Sequence, residues 1–247
     1  MGHHGPVPTT PTIRLVTWNL QGSARPDLGA VVDVLGAVDP DVVLLQEVQR
    51  WQTRDLARRL GWHHEWVFKH WAFLVPAEGL AMLSPLPLVD VDRRVLARRR
   101  QFWSWKRRVA LAARVEGSAL RLVDTHLGAG VGDEERRRQA GLTVAMAGGP
   151  PSVVAGDLNT RPGSIVLDAY AEAGFADSWT QVRGDDDGPT NWSPGPRLDP
   201  PSQRLDYVLT SGCEVVAATL PSQGDHRRYG AISDHVPLVV DLSVDRG

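Results

Sequence analysis

A single cysteine, Cys213, in 247 residues rules out an internal disulfide, so nothing in the chain demands an oxidising compartment. Long apolar runs are missing too. No stretch approaches the roughly 20 residues a membrane helix needs, and the opening MGHHGPVPTTPT has no apolar h-region. Neither sign of charge dominates: 27 Lys and Arg face 29 Asp and Glu, a formal net charge of -2. That balance argues against a globally basic nucleic-acid coat protein but leaves room for a local basic patch. Internal repeats and long linkers are absent. On these grounds residues 1–12 are expected to be a disordered lead-in, residues 13–247 one domain, and the protein cytoplasmic.

What is present is the composition of a soluble globular protein, 42% hydrophobic and 23% charged. Apolar periodicity predicts strands at Ile13–Trp18, 41–46, 65–74, 79–84, 108–116, 119–125, 152–156, 204–210 and 236–242. Helices are expected after Pro26, with Leu28, Val31, Val32, Leu35 and Val38 on one face, and over Thr53–Leu60, closed by Gly61. Two more follow, Asp133–Ala147 and one running from an N-cap at Ser164 to Gly174. The stretches 93–108 and 183–201 read as long loops. Many strands with few helices point to sheets packed on each other with helices outside.

The run VVAGDLNT, residues 153–160, ends a buried apolar strand abruptly in Asp157 and Asn159. In extended backbone these two side chains share one face, with Leu158 turned back to the core. Other strands behave alike: Asn19 ends TIRLVTWN, Glu47 ends DVVLLQE and His126 ends LRLVDTH. The last two strands reverse the pattern, Asp206 opening DYVL and Asp234–His235 preceding VPLVVDL. Opposed strand directions bring all of these groups to one rim. Singly, each is an ordinary turn, cap or satisfied core residue; together they gather carboxylates and imidazoles that no structural role needs.

Glu47 with Asn19 and Asp234 nearby is hard-oxygen ligation suited to Mg²⁺, with Mn²⁺ as the alternative. Such an ion would withdraw charge from a phosphoryl oxygen and stabilise a leaving oxyanion. Asp206 is placed to hold His235 in one tautomer, and Asp157, oriented by Asn159, to accept a proton from water. The chemistry these groups describe is metal-assisted hydrolysis of a phosphate ester.

The stretches TWNLQG (17–22), LLQEV (44–48), THL (125–127), GDLNT (156–160), RLDYVL (204–209) and SDHVPL (233–238), in that order, resemble the endonuclease/exonuclease/phosphatase superfamily. That superfamily includes deoxyribonuclease I, exonuclease III, neutral sphingomyelinases and inositol-phosphate phosphatases. The resemblance implies an α/β fold, a four-layer α/β/β/α sandwich with two mixed β-sheets packed face to face and helices outside. It also implies metal at Glu47 helped by Asn19 and Asp234, phosphate contacts from His126 and Asn159, water handling by Asp157, and pairing of His235 with Asp206. Acid and base roles differ among members, so His126 and His235 are left unassigned. Abasic-site endonucleases resembling exonuclease III carry an acidic residue just after the first Asn and a Tyr on a middle strand. Here Gln21 and Gly22 follow Asn19, and RVALAARV (108–115) holds no Tyr, which disfavours abasic-site repair. The paired cysteines of secreted deoxyribonucleases are absent as well.

Residues 93–108, RRVLARRRQFWSWKRR, are basic with interleaved aromatics and carry no acid. Arg98, Arg99, Arg100, Trp103 and Trp105 are therefore candidate substrate contacts, for a polynucleotide backbone with stacked bases or for an anionic phospholipid surface. The plain alternative is a solvated segment. Trp51, Trp62, Trp66 and Trp71 either line a groove or pack in the core. His63, His64 and His70 lack the partners of a zinc site, and GDDDG (184–188) reads as an acidic loop. The expectation is a metal-dependent hydrolase of nucleic-acid phosphodiesters with no obligate protein partner. Its rivals are a phospholipid or small-molecule phosphoesterase and a catalytically silent binding module.

Overall fold

The computed structural model describes residues 12–72, 75–101, 104–192, 197, 199–221 and 224–244. Its strands are β1 (Thr12–Asn19), β2 (Val42–Gln49), β3 (His63–Ala72), β4 (Val75–Ser84), β5 (Leu88–Gln101) and β6 (Ser104–Val115). They continue as β7 (Arg121–His126), β8 (Ser152–Asp157), β9 (Ala176–Asp177), β10 (Asp206–Ser211), β11 (Glu214–Thr219) and β12 (Leu238–Ser243). The helices are α1 (Leu28–Val38), α2 (Arg50–Leu60), α3 (Asp133–Ala147), α4 (Ile165–Glu172), α5 (Ser178–Arg183) and α6 (His226–Ile232).

The strands form two mixed sheets. One runs β11-β12-β1-β2-β4-β3; the other runs β6-β7-β8-β10-β9 with β5 on the free side of β6. They meet face to face, β1 over β8 and β10, β2 over β7 and β8, and β4 over β6 and β7. At one end His70–Ala72 of β3 pairs with Ser104–Lys106 of β6, so the hydrogen-bond ladder passes from one sheet into the other. Helix α2 lies against β2, β3 and β4 with α1 beside it, and α3 lies against β7 and β8 with α4 beside it. This is the layered α/β fold the sequence led us to expect.

Strands covered on both faces must be apolar on both. Val153 and Ala155 of β8 join the core between the sheets, while Val154 faces the helix-covered side with Ala140, Met146 and Tyr170. The same split separates Leu122 from Val123 in β7, Val208 from Tyr207 in β10, and Leu111 from Ala110 in β6. Leu158 is buried in that outer core, as its position after Asp157 predicted.

Several boundaries differ from the sequence reading, each for a local reason. Among the described residues the stretch 93–108 is not a loop: 93–101 belong to β5 and 104–108 to β6. As an edge strand, β5 tolerates exposed arginines such as Arg93 and Arg94, and the charge of the stretch hid its β character. Helix α2 begins at Arg50 because Gln49 and Gln52 form a reciprocal capping box. In α1 the buried face is Leu28, Val31, Val34 and Leu35, with Val34 where Val32 was expected. Elements β9, β11, α5 and α6 were unforeseen; they are short, and β11 alternates exposed with half-buried residues, a weak apolar signal.

A polar cluster lies between the sheets beneath the rim. Gln46 Nε2 donates to Thr17 Oγ1 at 3.0 Å and to Asp124 Oδ1 at 2.7 Å, and Asp124 is fully buried. Burial pushes the Asp124 carboxyl well above its ordinary 3.8, although the Gln46 hydrogen bond and the Lys69 charge oppose this. The folded chain thus holds this proton more tightly than the unfolded chain. Its contribution to stability is full below pH 3.8 and declines as pH rises toward the folded value. Asp124→Asn keeps the acceptor and removes the charge. Its Tm relative to the parent is expected to rise steadily from acid to alkaline pH, and a difference constant with pH would refute this account of Asp124.

Candidate active site

Parallel pairing of β1 with β2 and of β7 with β8, and antiparallel pairing of β12 with β1 and of β10 with β8, set the rim. Carboxyl ends of four strands and amino ends of two open at one edge. In register, His126 lies opposite Asp157 and Asp206 also lies opposite Asp157.

Glu47 does not simply end a strand, because β2 continues to Gln49. It sits in a bulge between Gln46 and Val48 against β4, with left-handed backbone (φ 53). A bulge of this kind re-aims one side chain, and such backbone in a non-glycine residue is held only by its surroundings. Gly22 is part of that support: a Cβ there would lie 2.3 Å from Glu47 O. Asn159 likewise has left-handed backbone (φ 49), so it meets Asp157 through a turn rather than through the pleat of an extended strand.

Asp157 is the hub. Its Oδ1 accepts Asn159 N at 2.9 Å, and its Oδ2 accepts Asn19 Nδ2 at 3.1 Å. That same Oδ2 lies 3.5 Å from His126 Nε2 and 3.8 Å from His235 Nε2. The two imidazoles are held differently. His235 Nδ1 meets Asp206 Oδ2 at 2.7 Å, while Thr190 Oγ1 accepts the Asp206 N–H at 3.1 Å. Lys69 Nζ lies 3.0 Å from His126 Nδ1 and 3.2 Å from Glu47 Oε1. An ammonium can only donate, so Nδ1 of His126 is the acceptor and its proton sits on Nε2, facing Asp157.

Burial opposes the charge on His235, but Asp206, through its charge and hydrogen bond, with Asp157 and Asp234 holds the imidazole protonated and raises its pKa to about 10. Burial raises Asp157 to about 6 against the pull of His235. For Glu47 burial also acts upward, yet the charge and hydrogen bond of Lys69, with His235 and Arg108, leave it below the ordinary carboxylate value. Glu47 is therefore an ionised carboxylate at neutral pH.

Further residues of the rim escaped the sequence reading. Lys69 is only 2% exposed and follows Trp66, Val67 and Phe68 as the one lysine or arginine of β3, which was the available signal. Arg108 is half-buried, feels Asp157, Glu47 and Glu78, and makes no ion pair among the described residues. Burial raises Glu78, and Glu47 adds to the shift. Gln21, noted above only as a departure, donates from Nε2 to Asp234 Oδ2 at 2.9 Å and from its backbone to Asn19 Oδ1 at 3.0 Å. Ser233 Oγ donates to Asn19 O at 2.7 Å.

Asn19, Glu47, His126, Asp157, Asn159, Asp206, Asp234 and His235 thus share the rim. The arginine-rich candidates are a different matter: Trp103 lies outside the described residues, as do the side chains of Arg98, Arg99, Arg100 and Trp105. Among the described residues no three Asp, Glu, His or Cys side chains form a chelating group. The rim instead offers the Glu47 carboxylate, whose Oε2 has no hydrogen bond among the described residues, and, elsewhere on it, the oxygens of Asn19 and Asp234 that accept from Gln21. That donor set fits a hard cation that keeps most of its waters, as Mg²⁺ does, better than a zinc cage or a many-ligand calcium site.

The Endonuclease/Exonuclease/phosphatase family model matches residues 16–235, a span that holds every residue of the rim. The chain belongs to this family. Among solved structures, an endonuclease/exonuclease/phosphatase from Beutenbergia cavernae DSM 12333 is similar at TM-score 0.76 and 25% identity, over 94% of this chain and 72% of the other. The human Nocturnin catalytic domain with bound sulfate anion is similar at TM-score 0.73 and 23% identity, over 97% of each chain. D. rerio TDP2 complexed with single strand DNA product is similar at TM-score 0.67 and 20% identity, over 94% of this chain and 98% of that one. No curated protein sequence matches. Membership in the Endonuclease/Exonuclease/phosphatase family supports phosphoester hydrolysis in general for this chain.

Proposed function

We propose that this chain is a Mg²⁺-dependent phosphodiesterase acting on nucleic acid. The observation that carries the reading is Asp157, a buried carboxylate whose pKa is raised to about 6, set between two imidazoles held by different partners. That is the arrangement of a base that takes a proton between two imidazole N–H groups, one of them the cationic His235.

Glu47 would hold Mg²⁺, with Asn19 and Asp234 nearby. When bound, the ion supplies Lewis-acid withdrawal of charge from a phosphoryl oxygen and from the leaving oxygen. Asp157 accepts the proton of the attacking water; Asn159 N on its Oδ1 and Asn19 Nδ2 on its Oδ2 fix the orientation of the carboxylate. His126 presents Nε2–H, and His235, kept cationic by Asp206, presents a second N–H toward the same region. Arg108 and Lys69 add positive charge where phosphate negative charge accumulates.

Arg108→Ala is expected to lower kcat by about 10²-fold, the scale of one lost charge-stabilising donor. An equal rise in KM with kcat unchanged would move Arg108 from the reaction to uniform binding. None of the motif residues is lost, which disfavours a silent binding module. The experiment is a panel of DNA, RNA, sphingomyelin and inositol phosphates assayed with and without Mg²⁺. Turnover of DNA or RNA with Mg²⁺ is the expected result, and turnover confined to sphingomyelin or to inositol phosphates would replace the substrate class.

A further inference from the structure

Beside the catalytic rim, the 3₁₀ turn Gly22–Ala24 and the start of α2 border a hollow of about 690 Å³ lined by Arg25, Gln49, Arg50, Trp51, Arg54 and Ala77. It adjoins the Glu47 side of the rim. Gln49 follows Glu47 by two residues and pairs across the ladder with Glu78, while Ser23 N donates to Glu78 Oε1 at 3.0 Å.

Two features set this hollow apart from a solvated helix face. Trp51 is 57% exposed, yet its ring is held: Nε1 donates to Gln49 Oε1 at 2.5 Å, and Gln49 Nε2 donates to Gly22 O at 3.1 Å. A large apolar ring is thus kept in water in a fixed attitude, against its tendency to bury. The cations around it are also unneutralised. On the same helix Arg58 and Arg59 both pair with Asp55, whereas Arg25, Arg50 and Arg54 have no carboxylate partner among the described residues. Their field reaches further: burial pushes the His64 imidazole down, and the charges of Arg54 and Arg50 act in the same direction. Arg50 and Arg54 also line a second hollow of about 450 Å³ with Trp66, Phe68 and Arg107, so the basic and aromatic surface continues away from the rim.

We propose that this hollow is a non-catalytic subsite for single-stranded polynucleotide, an unpaired base stacking on Trp51 while adjoining phosphates lie on Arg25, Arg50 and Arg54. An aromatic face offers stacking to any base, and guanidiniums track the backbone, the combination used for single strands without sequence readout. A duplex hides its base faces and gains nothing from Trp51. A bilayer surface would require the ring to protrude, and here it lines a concavity and is tied to Gln49. The subsite rests on the phosphodiesterase reading only for where the cut phosphate lies; binding in the hollow needs no turnover.

The test is fluorescence anisotropy of a short labelled oligothymidylate in EDTA, for the parent, Trp51→Ala, Trp51→Phe and the double variant Arg50→Ser with Arg54→Ser. Loss of the stacked ring should weaken single-strand binding about 5- to 100-fold, with partial recovery in Trp51→Phe and little change for the matching duplex. The double variant should reduce the slope of log affinity against log salt by about 1.4, roughly 0.7 per phosphate contact on a single strand. Unchanged single-strand affinity in Trp51→Ala and the double variant would overturn the subsite, and so would an equal loss on duplex. Loss of binding only to equimolar phosphatidylserine and phosphatidylcholine vesicles would assign the surface to membrane instead and also overturn it. Hydrolysis of bis(p-nitrophenyl) phosphate with Mg²⁺ is followed in parallel, and these variants should match the parent. A parent that fails this assay and the panel above would remove the phosphodiesterase reading while the anisotropy still decides the subsite.

Discussion

Glu47→Gln is expected to lower kcat on a phosphodiester by about 10³-fold and to weaken Mg²⁺ binding in calorimetry. The loss follows from removing a carboxylate charge from the candidate metal position, where a bound ion contributes several kcal/mol of transition-state stabilisation. The fold should survive. A Gln side chain still offers Oε1 to Lys69 Nζ, which sits 3.2 Å from that atom in the parent, and the bulge that aims residue 47 is a backbone feature. Circular dichroism and Tm close to the parent would separate lost chemistry from lost structure. Full activity in Glu47→Gln, or in the parent with excess EDTA, would remove the metal mechanism.

The second large effect concerns Asp206 and His235. Asp206 is fully buried, its Oδ2 lies 2.7 Å from His235 Nδ1, and its Oδ1 has no other partner. If the pair acts as one device, Asp206→Asn and His235→Ala should each cost about 10³-fold in kcat, within the range of a positioned acid or base. The double variant should be little worse than the poorer single one. Stability should show the same coupling. Breaking one side of a buried ion pair strands a charge at a cost of roughly 3–5 kcal/mol, so the double variant should be more stable than the sum of the singles predicts. Kinetic losses that multiply would show that the two residues act independently.

The parts of this molecule written in near-continuous apolar runs were legible before the structure was seen. Strands such as SVVAGD and LRLVDTH are buried on both faces, so their continuous apolar character survives any register, and their polar last residues have nowhere to go but the rim. The arginine-rich β5 was not legible, because an edge strand can carry charge along its open face and then reads as a loop. Glu47 was identified as a functional residue, but its left-handed backbone and bulge were not, since nothing local in QEVQ marks a bulge held in place by Gly22. Lys69 and Arg108 were missed for a related reason. A cation reaches this site across the sandwich, Lys69 from β3 and Arg108 from β6, and no spacing rule along the chain connects them to Glu47 or Asp157.

The central claim is that the rim built on Asp157 and Glu47 uses water to cleave at phosphorus with the help of Mg²⁺. The direct measurement is mass spectrometry of the products of a short oligonucleotide incubated in heavy-oxygen water, once with Mg²⁺ and once with excess EDTA. The account predicts cleavage only with Mg²⁺, each cut leaving one heavy oxygen on the new phosphate and none on the new hydroxyl. Heavy oxygen on the hydroxyl, or equal cleavage in EDTA, would contradict it.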